Sequence, residues 1–178
     1  MIDTVNMGPD EIDSEKMRLL EEFEKGRLPL LEFMRSVKRL EDSVGGLSVD
    51  PRLGKAVVAS FGRHTEGRDL MATILKIFGF GIELADRDAS IPEIIDMCQM
   101  DDVSVLCLSV QTTYDCPGLE EIDGTLRDLG IRDRIVFNVG GAAVSEHLAK
   151  KLGCDIYGRT ASESVRVMRE AVLNKYKG

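Results

Sequence analysis

The sequence predicts an α/β fold: a flavodoxin-like, doubly wound parallel sheet of five strands in the order 2-1-3-4-5, preceded by a short N-terminal helical segment. Three observations predict it. From Lys55 onward, short apolar, β-branched runs alternate five times with amphipathic stretches of helical length. Alternation of this kind implies parallel strands covered on both faces, and right-handed crossovers make the sheet doubly wound. The composition then changes near residue 50, since residues 1–50 hold no strand-like run. Finally, 178 residues that are 43% apolar suffice for one core of ordinary size, with no disulfide or metal staple. The chain therefore divides into a cap-like helical segment, 1–50, and an α/β domain, 51–178.

Each element has its own signal. Residues 14–24 place Met17, Leu19, Leu20 and Phe23 at helical spacing opposite a charged, solvated face. Residues 28–40 turn Leu31, Phe33, Met34, Val37 and Leu40 inward as a second helix. Two helices bury such stripes poorly, so this segment packs on the rest of the chain or on a second copy. Gly45-Gly46 and Pro51 punctuate the boundary. Strand 1 is KAVVASF, 55–61, followed by a helix over 68–78 that Gly79 closes. Strand 2 covers 82–85. Ser90 caps a helix over 92–100, with Pro92 in the first turn where its missing N–H costs nothing. Strand 3, 103–108, is the most continuous apolar run. A helix over 118–129 ends at Gly130, strand 4 covers 134–139, and a helix over 145–152 ends at Gly153. Strand 5 is brief, 155–157, and a helix over 161–176 follows. There is no internal repeat and no low-complexity tract.

Charge and cysteine content exclude several functions. Thirty-one acidic against 23 basic side chains give a net charge of −8, which disfavours phosphate backbones and anionic membranes. No apolar run approaches the ~20 residues needed to span a bilayer. The acidic start, MIDTVNMGPDEIDSEK, is not that of a secretory signal. Cys98, Cys107, Cys116 and Cys154 form neither a CxxC pair nor a zinc spacing, so they read as reduced thiols in a cytoplasmic protein.

In a parallel sheet every strand-to-helix loop lands on one edge, where ligands bind. Loop 1 is Gly62-Arg63-His64-Thr65-Glu66-Gly67; loop 3 is Ser109-Val110-Gln111-Thr112-Thr113-Tyr114; loop 4 is Gly140-Gly141-Ala142; loop 5 is Gly158-Arg159-Thr160. Strands 1 and 3 flank the switch point, so the first two loops face each other. A phosphoacceptor domain needs carboxylates where Gly62, Arg63 and Ser109 stand. A flavin mononucleotide domain needs a hydroxyl-rich first loop, and a P-loop needs GxxxxGK[ST]; neither is present.

A histidine in loop 1, a serine after strand 3 and a Gly-Gly after strand 4, in that order, make residues 52–178 resemble the cobalamin-binding domain of corrinoid methyl-carrier proteins. That group includes the methylamine and methanol corrinoid proteins and the cobalamin domain of methionine synthase. The family marks are Asp-x-His-x-x-Gly, Ser-x-Leu and Gly-Gly. The sequences LGKAVVASF, LSVQTTYDCPGL and VGGAAVSEHLAKKLGCDIYG also resemble the family. The resemblance implies a cobalamin (cobalt corrinoid) cofactor with its dimethylbenzimidazole tail buried in the crevice. It implies His64 as the metal ligand beneath cobalt, a role suited to neutral imidazole. Ser109 then donates to the tail base, and Gly140 and Gly141 let the tail approach the backbone. Gly67, Gln111, Thr113, Gly158 and Thr160 complete the expected cofactor contacts. The implied function is a carrier that holds a methyl group on cobalt between partner methyltransferase subunits and is itself non-catalytic. Nucleic acid and membrane are not expected partners; a homodimer is.

Two departures from the family stand out. Gly62 replaces the aspartate that accepts the histidine's other N–H, a partner whose loss typically costs about 10–100-fold in metal affinity or activity; Glu66 and Asp69 are the candidate substitutes. Gln111 replaces the family leucine and makes that wall more polar. The segment 1–50 is also shorter than the usual four-helix cap. Taken singly, His64 also reads as a loop histidine without a ligand, Ser109 as a turn cap, Gly140-Gly141 as an ordinary turn, and Thr112, Thr113 and Tyr114 as partners of the loop backbone. His147 reads as a surface residue, and Cys116 as unreactive for want of a cationic neighbour. A cobalamin sensor or storage module without methyl transfer is the alternative function, and a cobalamin-free relic of the fold is the third.

Overall fold

The computed structural model describes residues 7–61, 64–87, 89–112 and 118–175. It divides between Ser48 and Val49 into two compact units. The first holds two helices, α1 (Pro9–Glu24) and α2 (Leu30–Ser43). Pro9 sits at the start of α1, and Glu11 accepts the Gly8 N–H at 2.8 Å, so α1 begins earlier than its apolar stripe alone suggests. Leu19, Leu20, Phe33, Val37 and Leu40 are buried, and the Phe23 and Phe33 rings stack at 4.6 Å. Leu31 is 64% exposed rather than inward, because it lies about 200° around α2 from Phe33.

The second unit is the α/β domain. Its elements are β1 (Lys55–Phe61), α3 (Glu66–Ile77), β2 (Gly81–Leu84), α4 (Ile91–Cys98), β3 (Val103–Val110), α5 (Leu119–Asp128), β4 (Val136–Gly140), α6 (Glu146–Lys151) and α7 (Ala161–Lys175). The strands form a parallel sheet in the order β2-β1-β3-β4. All eight residues of β3 are buried, as its continuous apolar sequence requires of a central strand. The Ser90 cap is realised: its hydroxyl faces the Glu93 N–H, and the Glu93 carboxylate takes the Ser90 N–H at 2.7 Å.

Alternation along the strands separates two faces. Val57, Ala59, Leu106, Leu108, Val110, Phe137 and Val139 join Ile94, Ile122, Leu126, Ala149 and Leu152 from α4, α5 and α6 in one apolar core. The intervening positions, Val58, Ser60, Cys107, Ser109, Asn138 and Gly140, belong to the face beneath α3 and α7. There Met168 Sδ of α7 lies 3.4 Å from Cys107 Sγ.

The expected fifth strand is seen only as a bridge. Residues 155–157 make a single parallel bridge, Asn138 to Ile156, and the described sheet has four strands. The reason is local chemistry at Asp155. Its N–H donates to the Phe137 carbonyl at 2.9 Å, and its own carboxylate then takes the Phe137 N–H at 2.8 Å. A side chain thus occupies the place a strand carbonyl would fill. Buried Arg132 holds that carboxylate with two 3.0 Å contacts and also binds Asp123 at 2.5 Å. Ser109 and Val110 are likewise strand residues rather than loop residues, and Gly67 lies inside the first turn of α3.

Among the described residues no helix is long and apolar enough to cross a membrane. His147 is exposed, as expected. Cys98, Cys107 and Cys154 are free thiols; Cys116 lies outside the described residues.

Candidate functional site: a cavity at the carboxyl edge of the sheet

Register brings the ends of three strands level. Ser60 of β1 is opposite Ser109 of β3, and Ser109 is opposite Gly140 of β4. Strand order reverses between β1 and β3, so the following segments part and leave a crevice. A cavity of about 360 Å³ opens there. Ser109 lines it from β3 and Gln111 from just beyond, Gly140 from the end of β4 and Gly141 from just beyond, Gly67 from α3, and Gly158 and Thr160 from the segment before α7. Residues that the sequence separates widely thus converge on one space.

Glycine is required at two of these points. A Cβ on Gly67 would collide with Ser109 Oγ and stand 2.8 Å from Gln111 Nε2, so only glycine lets α3 come this close to β3. Gly141 has φ +113, and its Cβ would run into the Val110 carbonyl. Gly140 differs: nothing lies within 4 Å of where its Cβ would be. Its missing side chain leaves space empty.

The polar groups are few and defined. Gln111 Nε2 donates to Ser109 Oγ at 3.0 Å, which leaves the Ser109 hydroxyl its own proton to donate. Thr160 Oγ1 accepts the Glu163 N–H at 3.1 Å, so this hydroxyl caps α7 while its residue lines the cavity. Tyr157 donates to the Val144 carbonyl at 3.3 Å and closes one side.

His64 is described, and it does not line the cavity. Its side chain is 67% exposed, with Nδ1 3.7 Å from Glu66 Oε2. Of the two candidate substitutes for the missing aspartate, Asp69 is taken by Arg68 at 2.8 Å, and Glu66 is the one beside the ring. Gly62 and Thr113 lie outside the described residues.

Sequence reasoning missed part of the lining. Val58, Leu70, Met71, Cys107 and Ser164 also face the cavity. Leu70 and Met71 follow Gly67 by about one helical turn, a spacing that the sequence does show once Gly67 is placed inside the helix. Beneath the lining, Ser60 Oγ and both polar atoms of the Asn138 amide are buried without a hydrogen-bond partner. Burial pushes the Cys107 thiol far up, with the neighbouring Asn138 amide opposing that rise.

Comparisons with known proteins find relatives and structural neighbours. The chain is 26% identical over 163 residues to trimethylamine corrinoid protein 1 of Methanosarcina acetivorans, covering 86% of this chain and 76% of that one. It is 28% identical over 159 residues to dimethylamine corrinoid protein 3 of the same organism, covering 85% and 75%. The chain is thus similar to methylamine corrinoid proteins over most of its length. The fold of such proteins matches too: a chain of the methanol:cobalamin methyltransferase complex from Methanosarcina barkeri superposes with a TM-score of 0.80. That match covers 98% of this chain and 72% of that one, at 17% identity. No family profile matches this corrinoid-protein relative.

Proposed function

We propose that the protein is a cobalamin-binding corrinoid carrier that holds a methyl group on cobalt for partner methyltransferases. The observation that carries this reading is the convergence of Gly67, Ser109, Gln111, Gly140, Gly141, Gly158 and Thr160 on one cavity. The residues fit the group. Gly140 leaves the cavity open where a side chain would fill it, Gly67 and Gly141 allow close approach of backbone, and buried polar atoms stand unpartnered below.

When bound, the corrinoid supplies the cobalt centre on which a methyl group is carried. The chain's residues do the rest. His64, exposed before the first turn of α3, offers an imidazole to the metal, and Glu66 beside it accepts the second ring N–H on closing the 3.7 Å gap. Ser109 donates its proton to the tail base, and Gln111 holds the Ser109 oxygen in place. Val58, Leu70 and Met71 exclude water from the tail. Thr113, outside the described residues, stays in the proposal as a cofactor contact. No residue of the chain is assigned a catalytic role.

The same proposal takes residues 1–50 as the cap-like segment and 51–178 as the cofactor domain. It takes the Asn138–Ile156 bridge as the remnant fifth strand of a flavodoxin-like 2-1-3-4-5 sheet, and the protein as cytoplasmic. A homodimer through the apolar stripe of the first fifty residues is part of it. Sedimentation with and without cobalamin reads that part, and a monomer in both states removes it.

Reconstitution tests the function. Protein mixed with hydroxocobalamin and desalted should stay coloured and accept a methyl group from a partner methyltransferase. Colourless protein overturns cofactor binding. Coloured protein that exchanges no methyl group with any methylamine or methanol methyltransferase supports the storage or sensor reading instead. That second reading is favoured by the 3.7 Å separation of His64 and Glu66, which is too long to fix the ring.

A further inference from the structure

Asn138 stands in the middle of β4 at 1% exposure, and neither its Nδ2 nor its Oδ1 has a hydrogen-bond partner. Its neighbours in the strand are Val136, Phe137 and Val139, all buried and apolar. A carboxamide with both its donor and its acceptor unpaired is among the costliest side chains to keep at such a position. Its location says what it serves. Asn138 is in register with Cys107, which lines the cavity, and two residues along the same face is Gly140, also in the lining. The Asn138 amide has the Cys107 thiol beside it, a weak hydrogen-bonding group whose geometry leaves the amide unsatisfied. Asn138 itself does not line the cavity, but Cys107 does; Cys107 Sγ meets Met168 Sδ at 3.4 Å, and methionine repacks readily. Ser60 adds an unpartnered hydroxyl on this face, and Gln111 adds an amide to the cavity wall.

We propose that this cavity selects the lower base of the corrinoid, taking a base with an amino-bearing polar edge, of the aminopurine class, in preference to dimethylbenzimidazole. Asn138 and Gln111 are the side chains that set the preference. The inference rests on the corrinoid reading above. Dimethylbenzimidazole presents two methyl groups and one free ring nitrogen, and Ser109 already serves that nitrogen. It offers nothing to a buried carboxamide. An adenine edge presents an amine donor next to a ring-nitrogen acceptor, the pair that an Asn or Gln amide matches in two-pronged fashion. A site with polar groups placed for such an edge discriminates against an analogue lacking it, because its own groups are then left unpaired.

The test titrates the full chain with three cobalt corrinoids that differ only in the tail: cobalamin, its adenine-based counterpart and tail-less cobinamide. Binding is followed by the visible corrin spectrum and by heat. The adenine form should bind about tenfold or more tighter than cobalamin, and cobinamide weakest. Asn138→Val and Gln111→Leu should each shrink the preference, and the double variant should favour cobalamin. Asn138→Val restores an ordinary strand residue and should fold, which a thermal melt checks; Gln111→Leu, at a partly exposed site, provides an independent variant. Equal affinity for the two tailed forms, undiminished affinity for cobinamide, or a preference unmoved by the variants overturns the proposal and leaves the corrinoid reading standing. Failure of all three corrinoids to bind overturns that reading itself, and this inference with it.

Discussion

The two faces of the sheet are built from the same strands and solve different problems. Against α4, α5 and α6, Val57, Ala59, Leu106, Leu108, Val110, Phe137 and Val139 are all buried and apolar, and the face closes as a continuous core. Beneath α3 and α7, alternate positions carry Ser60, Cys107, Ser109, Asn138 and Gly140, and the face keeps a cavity and unpartnered polar atoms. Close packing stabilises the first face by itself. The second gives up apolar burial and leaves hydrogen-bonding groups unmet, which folding alone does not favour. The difference teaches that one face is the scaffold and the other is shaped for a ligand.

Variants on each face sharpen that contrast. The largest effect belongs to the scaffold. Phe137→Ala empties a fully buried position and should lower stability by ~3–5 kcal/mol in denaturant unfolding, with cobalamin affinity of the folded protein unchanged. On the cavity face the signs should separate the other way. Gly140→Leu pushes a side chain into open space, so thermal stability should hold while cobalamin affinity falls about 10–100-fold by titration. A Gly140→Leu protein that binds as well as the parent would mean that the cavity is not the tail site.

A smaller effect concerns the unpaired amide. Asn138→Val should raise the stability of the cofactor-free protein by about 1 kcal/mol, since it removes a buried donor and acceptor without emptying space. A loss of stability there would mean that the amide is satisfied in solution and that the two faces differ less than the geometry says. The smallest effect serves as a control away from both faces. Burial raises the pKa of Asp123, but its hydrogen bonds from Arg127 and Arg132 outweigh this and hold the carboxyl below its ordinary value. Its folded pKa is thus depressed, so its contribution is present above the unfolded value near 3.9 and is lost as pH falls through the folded value. The melting temperature of the parent should drop more steeply below about pH 4 than that of Asp123→Asn, with no change in corrinoid affinity.

What was legible in the sequence was local. The strand–helix alternation, the Ser90 cap and the order of the first four strands follow from short-range periodicity, and the structure reproduces them. The fifth strand was not legible, because its reduction to one bridge depends on the Asp155 carboxylate reaching Phe137 under the hold of Arg132, a contact made only in three dimensions. Leu31 matches an apolar pattern by spacing yet falls on the far side of α2. At the site, the glycines and Ser109 were legible as a motif in fixed order. Asn138 was not, because one polar residue within VFNVG reads as an ordinary strand position until its register beside Cys107 is known. The tight fit of Gly67 against Ser109 also required the helix to begin at Glu66, earlier than the apolar pattern marks.

The central claim is that the cavity takes the tail of a corrinoid and so leaves His64, exposed just before α3, to bind the cobalt. Electron paramagnetic resonance of the cobalt(II)-loaded protein tests it most directly, with nitrogen-15 placed either in the protein's histidines or in the cofactor's own base. The account predicts coupling to one axial nitrogen that changes with histidine labelling and is lost in His64→Ala. Coupling that follows the label in the cofactor's base would show that the base stays on cobalt, and would contradict it.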